Sequence, residues 1–430
     1  MLWDADGRES SIALIADDDM AFIVNGKSDG STRGDAGTQV MGGLIGSALH
    51  PRAERALVIG LGTGSTAGWL AAVPTMKRVD VVEIEPEVIR VAGECAAVNR
   101  DVLRRTNVVV TIADARESLL TSRATYDVIF SEPSNPYRAG VASLFTAEFY
   151  AAVASRLGRN GIFLQWVQAY DIDNETVRTI YATLGSVFPH ITTWHTGPGD
   201  LLLSASAEPI AFDADVLRRR LAAEPYRSAM HVAWRVEDLE GFLSRHIANP
   251  GLAAALGAQS SRRNTDDRTL IEFDFERSVG RDQFRIDQLV DLATRRGASR
   301  PAIRGAIDWD RVARHIASDP LSVPDAKVIQ RHQFGVLHRR ADLGAALAAW
   351  KAAPFDPVNT LELSELAEAF AEEGSEEAIP LADRLRGWQP AEADAILARM
   401  RLAQKRYGEA ADLWPALWFA TEAIRGPAAM

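Results

Sequence analysis

The pentapeptide Gly60-Leu61-Gly62-Thr63-Gly64 follows a short apolar run, Arg55 to Gly60, and precedes a helix-forming run, Ser65 to Val73. Glycines at alternate positions admit backbone angles closed to other residues, and a helix start beside them offers unpaired N–H groups to a ligand. The next apolar run, Arg78 to Ile84, ends in Val81-Val82-Glu83-Ile84-Glu85. An acid at the end of a second strand is placed to accept both hydroxyls of a ribose. Strand, glycine turn, helix, strand and acid in this order point to an α/β domain that binds a nucleoside. The dinucleotide form of the turn requires G-x-G-x-x-G, whereas Gly64 stands two after Gly62, which favours ligands of the S-adenosylmethionine type over NAD.

The alternation continues, with a helix expected over 86–99, a strand over 107–112, a helix over 115–120, a strand over 126–130, a helix over 146–157, a strand over 161–166, a helix over 174–188 and a closing strand over 200–205. Such a pattern predicts a Rossmann-like parallel sheet of the class I methyltransferase type with right-handed crossovers. Ahead of it, 11–25 reads as a hairpin around Asp17-Asp18-Asp19. The Gly-, Ser-, Asp- and Thr-rich stretch 26–46 reads as a loop bordering a site. Beyond Pro209 the pattern turns helical, and from Pro301 only helical patterns remain. There Arg340 to Trp350, Leu366 to Leu381 and Leu397 to Trp414 recur at about 33 residues, the period of tetratricopeptide-like (TPR) repeats. Arg406-Tyr407-Gly408-Glu409-Ala410-Ala411 is the clearest instance, and an Ala-rich helical bundle gives similar self-similarity. A chain of 430 residues exceeds one core. Three domains are expected: 1–50, a β-hairpin unit with a substrate loop; 51–290, the sheet domain; and 300–430, a helical TPR-like domain.

A net charge of -11 opposes binding to a phosphate backbone and suits a small cationic substrate, although solubility alone explains it equally well. The single cysteine, Cys95, allows no internal disulfide and reads as a buried inert thiol. No stretch approaches the roughly 20 apolar residues of a membrane span, so a cytoplasmic protein is expected. His50, His190 and His195 lack ligand spacing, and no metal is expected.

Two further segments carry chemistry. In Ala113-Asp114-Ala115-Arg116 the carboxylate of Asp114 can accept from an adenine amino group or cap a helix. In Phe130-Ser131-Glu132-Pro133-Ser134-Asn135-Pro136-Tyr137, at the carboxyl end of a strand, Glu132 is the best general-base candidate in a loop stiffened by proline; a solvated loop acid is the other reading.

From about Ile12 to Phe275 these residues resemble the polyamine aminopropyltransferases, most closely their spermidine synthase-like bacterial relatives with a helical-repeat extension. The resemblance rests on Asn25-Gly26-Lys27, Asp35 and Gln39, Leu49-His50-Pro51, the glycine turn, Glu83-Ile84-Glu85, Asp114-Ala115-Arg116, Glu132 to Pro136, Leu144 to Tyr150, Gln165-Trp166, and Asn264-Thr265-Asp266-Asp267. It implies decarboxylated S-adenosylmethionine, or S-adenosylmethionine, as cosubstrate, a small amine as acceptor, and no metal. Glu83 with Ile84 would hold the ribose, Asp114 with Ala115 the adenine, and Gly60, Gly62, Thr63 and Gly64 the methionine-derived tail, with Gln39 beside them. Glu132 falls at the catalytic acid, and Asn135, Gln168, Tyr170 and Trp194 fall where the family places pocket residues. The family's turn usually carries an acid where this chain has Thr63, and the second acid of its catalytic loop falls at Asn135; both changes remove negative charge facing amino groups. The resemblance leaves two other readings open: a methyltransferase using intact S-adenosylmethionine, for which Asn135-Pro136-Tyr137 is a poor match to an N-P-P-Y loop, and a non-catalytic scaffold whose tail binds a protein partner. A homodimer is compatible with all three.

Overall fold

The computed structural model describes residues 1–16, 19–136, 138, 140–197, 199–278, 280–281, 284–318 and 329–413. Asp17, Asp18, Tyr137 and Trp414, which belong to the patterns above, lie outside them. The chain divides into two units, Met1–Trp234 with Arg245–Ala306, and Arg235–Ser244 with Ile307–Met430.

The first unit opens with four antiparallel strands in sequence order, β1 (Trp3–Asp6), β2 (Ser11–Ala16), β3 (Met20–Val24) and β4 (Lys27–Ser31). The β3–β4 turn is Asn25-Gly26, both at positive φ (48° and 81°), as a tight hairpin of this twist requires. The expected loop over 26–46 is instead β4 followed by helix α1 (Ala36–Leu49), whose 14 residues are all buried. Its glycines explain both the misreading and the burial. A Cβ on Gly37 would lie 2.0 Å from the Thr196 carbonyl oxygen, and one on Gly42 would lie 2.7 Å from the Phe130 ring. A composition that looks unstructured in sequence lets a helix lie directly on a sheet.

There follow β5 (Arg55–Ile59), α2 (Ser65–Ala71), β6 (Arg78–Glu83), α3 (Val88–Glu94), β7 (Val108–Ile112), α4 (Ala115–Thr121), β8 (Tyr126–Ser131), α5 (Ala147–Arg156), β9 (Leu157–Gln168), α6 (Asn174–Gly185), β10 (His190–Gly197) and β11 (Asp200–Ser206). The sheet has eight strands in the order His246–Ala248, β10, β11, β9, β8, β5, β6, β7. The five from β9 to β7 are parallel; β11, β10 and His246–Ala248 extend the sheet antiparallel. The sheet therefore runs on past β11, the strand expected to close it. Strand β10 carries the β-branched and aromatic run Ile191-Thr192-Thr193-Trp194, a strand signal that lies between two better-marked elements. Helix α1 covers one face. On the other, Phe149, Tyr150, Phe163 and Phe188 form a chain of ring contacts, with Phe163 at 5.8 Å from both Tyr150 and Phe188.

The second unit is helical from Trp309–Ser318 through Ile329–Arg339, Leu343–Ala352, Thr360–Glu372, Ala378–Arg386 and Pro390–Ala403. Each helix packs on the next, around Phe334, Leu347, Leu366, Phe370, Leu385 and Met400. A buried ion pair, Arg331 Nε to Glu362 Oε1 at 3.0 Å, sits inside this unit.

Backbone proximity around α2 sets one expectation for stability. A Cβ on Gly68 would lie 1.7 Å from the Asn99 carbonyl oxygen. Alanine is the better helix former by about 1 kcal/mol, yet Gly68→Ala should destabilise the first unit by about 2 kcal/mol or more, read as a lower denaturant midpoint. An unchanged or raised midpoint would contradict this packing.

Candidate active site

At the end of β5 the chain turns through Gly60, Gly62 and Gly64 at φ of 95°, 50° and 78°. A Cβ on Gly60 would stand 2.6 Å from the Glu132 carbonyl oxygen, so only glycine lets the loop after β8 pass this close. The Leu61 N–H donates to Glu83 Oε2 (2.8 Å) and the Glu85 N–H to Glu83 Oε1 (2.9 Å), fixing the Glu83 carboxylate at the end of β6. Burial pushes the Glu83 pKa up, and these amides oppose the rise. Ile84 stands beside it half-exposed. Glu85 turns away, accepting from the Glu9 and Ser10 amides (2.8 and 3.1 Å), and so ties the β1–β2 turn to the end of β6.

Asp114 is exposed and caps α4, of which Ala115 is the first residue; the Arg116 and Glu117 amides both donate to its Oδ1 (2.7 and 3.0 Å). Arg116 makes a two-pronged contact with Asp266 (2.8 and 2.5 Å) and donates to the Ser143 carbonyl (2.9 Å), which is what Asp266 of the Asn264-Thr265-Asp266-Asp267 segment does in this fold.

Glu132 directly follows β8, and its N–H donates to the Ile59 carbonyl (3.1 Å). Part of its surface is open while protein surrounds its carboxyl group. Thr66, in the first turn of α2, lies with its hydroxyl 2.8 Å from Glu132 Oε2 and 2.8 Å from the Gln39 carbonyl oxygen. One hydroxyl has one proton to give. The Thr66 hydroxyl shares it between the Glu132 carboxyl and the Gln39 carbonyl. Burial, with the like charges of Asp200, Asp35 and Asp29 against the opposing Thr66 hydrogen bond, pushes Glu132 up to about 8. Gln39, buried on α1, also accepts from the Thr63 hydroxyl through its side chain, linking α1 to the glycine turn.

The acids around Glu132 differ in how they are compensated. Asp29 on β4 is held by Arg138 (3.0 Å) and by the Ser134 hydroxyl (2.5 Å), joining the N-terminal sheet to the loop after β8. Asp35 accepts from the Ser31 amide and hydroxyl (2.6 and 2.9 Å). Asp200, 6 % exposed, accepts from the Thr38 hydroxyl (2.6 Å) and the Trp166 indole N–H (3.0 Å). Burial raises Asp200 to about 6, Asp35 adding to the rise and the two hydrogen bonds opposing it.

Asn135, Gln168 and Tyr170 come together: the buried Asn135 amide donates to the Gln168 side-chain oxygen and to the Tyr170 hydroxyl (3.3 Å), and Gln168 donates to the Tyr170 carbonyl (2.7 Å). Lys27 from β4 stands 5.8 Å from the centre of the half-exposed Tyr170 ring. Trp194 is not brought to this group. It is fully enclosed, donates to the Thr192 hydroxyl (3.0 Å), stacks on Phe212 at 6.3 Å and meets His246 edge-on at 5.1 Å. Cys95 is buried and its pKa is pushed up to about 12 by that burial, so it is no nucleophile. Among the described residues no group of three or more His, Cys, Asp or Glu is placed to hold a metal ion, and no helix is long and apolar enough to cross a membrane.

Sequence reasoning passed over Thr66, Thr38, Asn99, Asp29 and Asp200. Asn99, fully buried, donates to the Thr63 and Ala92 carbonyls (2.8 and 2.7 Å) and so braces the glycine turn from behind. Only Thr66 had a local signal, its place in the first turn after the glycines.

Residues 38–197 match the family described as the spermine/spermidine synthase domain. That span runs from the start of α1 to the end of β10; Asp29 and Asp35 precede it and Asp200 follows it. A polyamine aminopropyltransferase of Moorella thermoacetica is 30% identical over 192 residues, 43% of this chain and 67% of that protein. One of Bacillus cereus is 29% identical over 147 residues, 34% of this chain and 53% of that protein, so the match spans about half its length. The crystal structure of spermidine synthase from Thermotoga maritima superposes with a TM-score of 0.44 at 21% identity, covering 48% of this chain and 72% of that one. With its glycine turn, its acid at the end of β6 and the sequence match across the sheet domain, the chain belongs to the spermine/spermidine synthase family of polyamine aminopropyltransferases.

Proposed function

We propose that this chain transfers an aminopropyl group from decarboxylated S-adenosylmethionine to a small cationic amine. One observation carries the reading: the glycine turn, the ribose-side acid Glu83 and the loop acid Glu132 meet at one point, where Gly60 runs against the Glu132 backbone and Leu61 donates to Glu83. The Glu83 carboxylate would take the ribose hydroxyls, Ile84 the flank of the adenine, Asp114 the adenine amino group through the oxygen that does not cap α4, and the glycine turn with Gln39 the aminopropyl tail. Asn135, Gln168 and Tyr170 would line the acceptor side.

The chemistry is a displacement at carbon. An acceptor arrives as an ammonium and must lose a proton before its nitrogen has a lone pair. Glu132 takes that proton, the nitrogen attacks the methylene next to the sulfonium, the carbon–sulfur bond breaks with its electrons going to sulfur, and methylthioadenosine leaves. A carboxyl group that rests neutral is a poor base. The positive charges of sulfonium and ammonium arriving beside Glu132 favour its ionised form, so the base is made ready by the substrates themselves. No observation favours methylation or a non-catalytic scaffold, the other two readings of the sequence.

Glu132→Gln should lower turnover by about a thousandfold while methylthioadenosine binding, measured by calorimetry, changes less than about threefold; surviving activity would show that the assigned base is wrong. The same substitution tests the charge state. A carboxyl raised to about 8 in the folded protein contributes stability that is present below its unfolded value and is lost as pH rises through about 8. The melting temperature of Glu132→Gln relative to wild type should therefore climb between pH 5 and pH 8.5. A difference that stays flat over that range would mean that Glu132 rests ionised.

A further inference from the structure

Glu132 is fixed at its backbone. Its N–H donates to the Ile59 carbonyl (3.1 Å) and its own carbonyl oxygen packs against Gly60. A glutamate still carries its carboxylate on three rotatable bonds, whereas proton transfer needs the base within about 3 Å of the proton's donor atom. The tip therefore has to be held as well. Among the described residues the hydrogen bond to that carboxyl group comes from one side chain, Thr66, whose hydroxyl lies 2.8 Å from Oε2.

Thr66 is gripped at both branches of its side chain. The hydroxyl reaches the Gln39 carbonyl oxygen of α1 at 2.8 Å. The methyl lies beside Gly43, one turn further along the same helix, where a Cβ would stand 3.2 Å from it. A β-branched side chain that is 3 % exposed and held at two points keeps one χ1, so Thr66 is a rigid post between α1 and the loop after β8. Its one proton serves two acceptors of different strength. A carboxylate is the stronger once it is charged, and a hydrogen bond to the charged form favours that form. Thr66 accordingly opposes the rise that burial and the like charges of Asp200 on β11, Asp35 before α1 and Asp29 on β4 impose on Glu132.

We infer that Thr66 is a positioning residue for the base: its hydroxyl fixes Oε2 of Glu132 and commits its proton there as Glu132 ionises, so that Oε1 is the oxygen that receives the acceptor's proton. This rests on the aminopropyl-transfer reading, in which Glu132 is the base. In that step an N–H bond of the acceptor ammonium breaks, its electrons stay on nitrogen as the attacking lone pair, and the proton bonds to Oε1. Thr66 acts through Glu132 and leaves the donor's nucleoside to other residues.

Two variants of the full chain separate this role from packing. Thr66→Val keeps the methyl against Gly43 and removes the hydroxyl, whereas Thr66→Ser keeps the hydroxyl and removes the methyl. With decarboxylated S-adenosylmethionine and 1,4-diaminobutane, Thr66→Val should lower kcat about tenfold. It should also move the acid limb of the kcat/KM profile to higher pH by about one unit, because the lost bond favoured the ionised form. Methylthioadenosine affinity, by calorimetry, should stay within about twofold of wild type. Thr66→Ser should return the limb to its wild-type position and the rate to within about threefold. An unmoved limb in Thr66→Val, or equal impairment in both variants, would show that Thr66 only packs α2 against α1 and overturns the inference. If Thr66→Val does not fold, Thr66→Ala, which also lacks the hydroxyl, is compared with Thr66→Ser in its place. Carbon-13 NMR titration of the Glu132 carboxyl reads the contact without turnover: its midpoint should rise in Thr66→Val and not in Thr66→Ser, and a midpoint that does not move overturns the inference. A wild type that forms no methylthioadenosine contradicts the aminopropyl-transfer reading itself, and the NMR titration tells that result apart from failure of the Thr66 contact.

Discussion

The close approach of α1 to the sheet is the contact on which the site depends. Gly37 and Gly42 bring the helix against the β10 backbone and the Phe130 ring, at separations that no residue with a Cβ reaches. That approach carries Thr38 and Gln39 into the gap between the glycine turn and β11. From there Gln39 receives Thr63 and Thr66, and Thr38 donates to Asp200. Were the helix farther away, Asp200 would lose the Thr38 hydroxyl and keep only the Trp166 indole, and Thr66 would lose its acceptor on α1.

Charge is the second organising quantity. Each carboxylate kept out of water raises the pKa of its neighbours. The structure spreads the acids over four segments: Asp29 on β4, Asp35 before α1, Glu132 after β8 and Asp200 on β11. Of these four, Asp29 alone is paired with an arginine among the described residues. Burial and this repulsion push Glu132 up to about 8, and on the proposed reading cationic substrates would relieve what remains, so the electrostatics that lower stability at alkaline pH would favour binding.

Much of the sheet domain was legible because its signals are local. Gly60 to Gly64, Glu83, Asp114 and Glu132 each lie at the end of a strand marked by its own apolar run, and a ligand at the carboxyl edge of a parallel sheet draws on those ends. Helix α1 was not legible, since glycine and small polar residues score as loop when the surface they press against is unknown. Nor was Asp200, a single acid in Gly197-Pro198-Gly199-Asp200, whose meaning comes from pairing with Gln168 on another strand and from Thr38 on a helix far earlier in the chain. Trp194 shows the converse: a residue that family resemblance draws toward the pocket is used here to pack Phe212 and His246. At Asp114 the structure shows the cap, with two α4 amides donating to one carboxylate oxygen.

The central claim is that the carbon transferred is the aminopropyl chain and not the methyl group of the same sulfonium. Identifying the nucleoside product by mass spectrometry tests it most directly, with the full chain incubated with 1,4-diaminobutane and either decarboxylated or intact S-adenosylmethionine. The account predicts methylthioadenosine from the decarboxylated donor. Accumulation of S-adenosylhomocysteine from the intact donor, with no methylthioadenosine from the decarboxylated one, would contradict it.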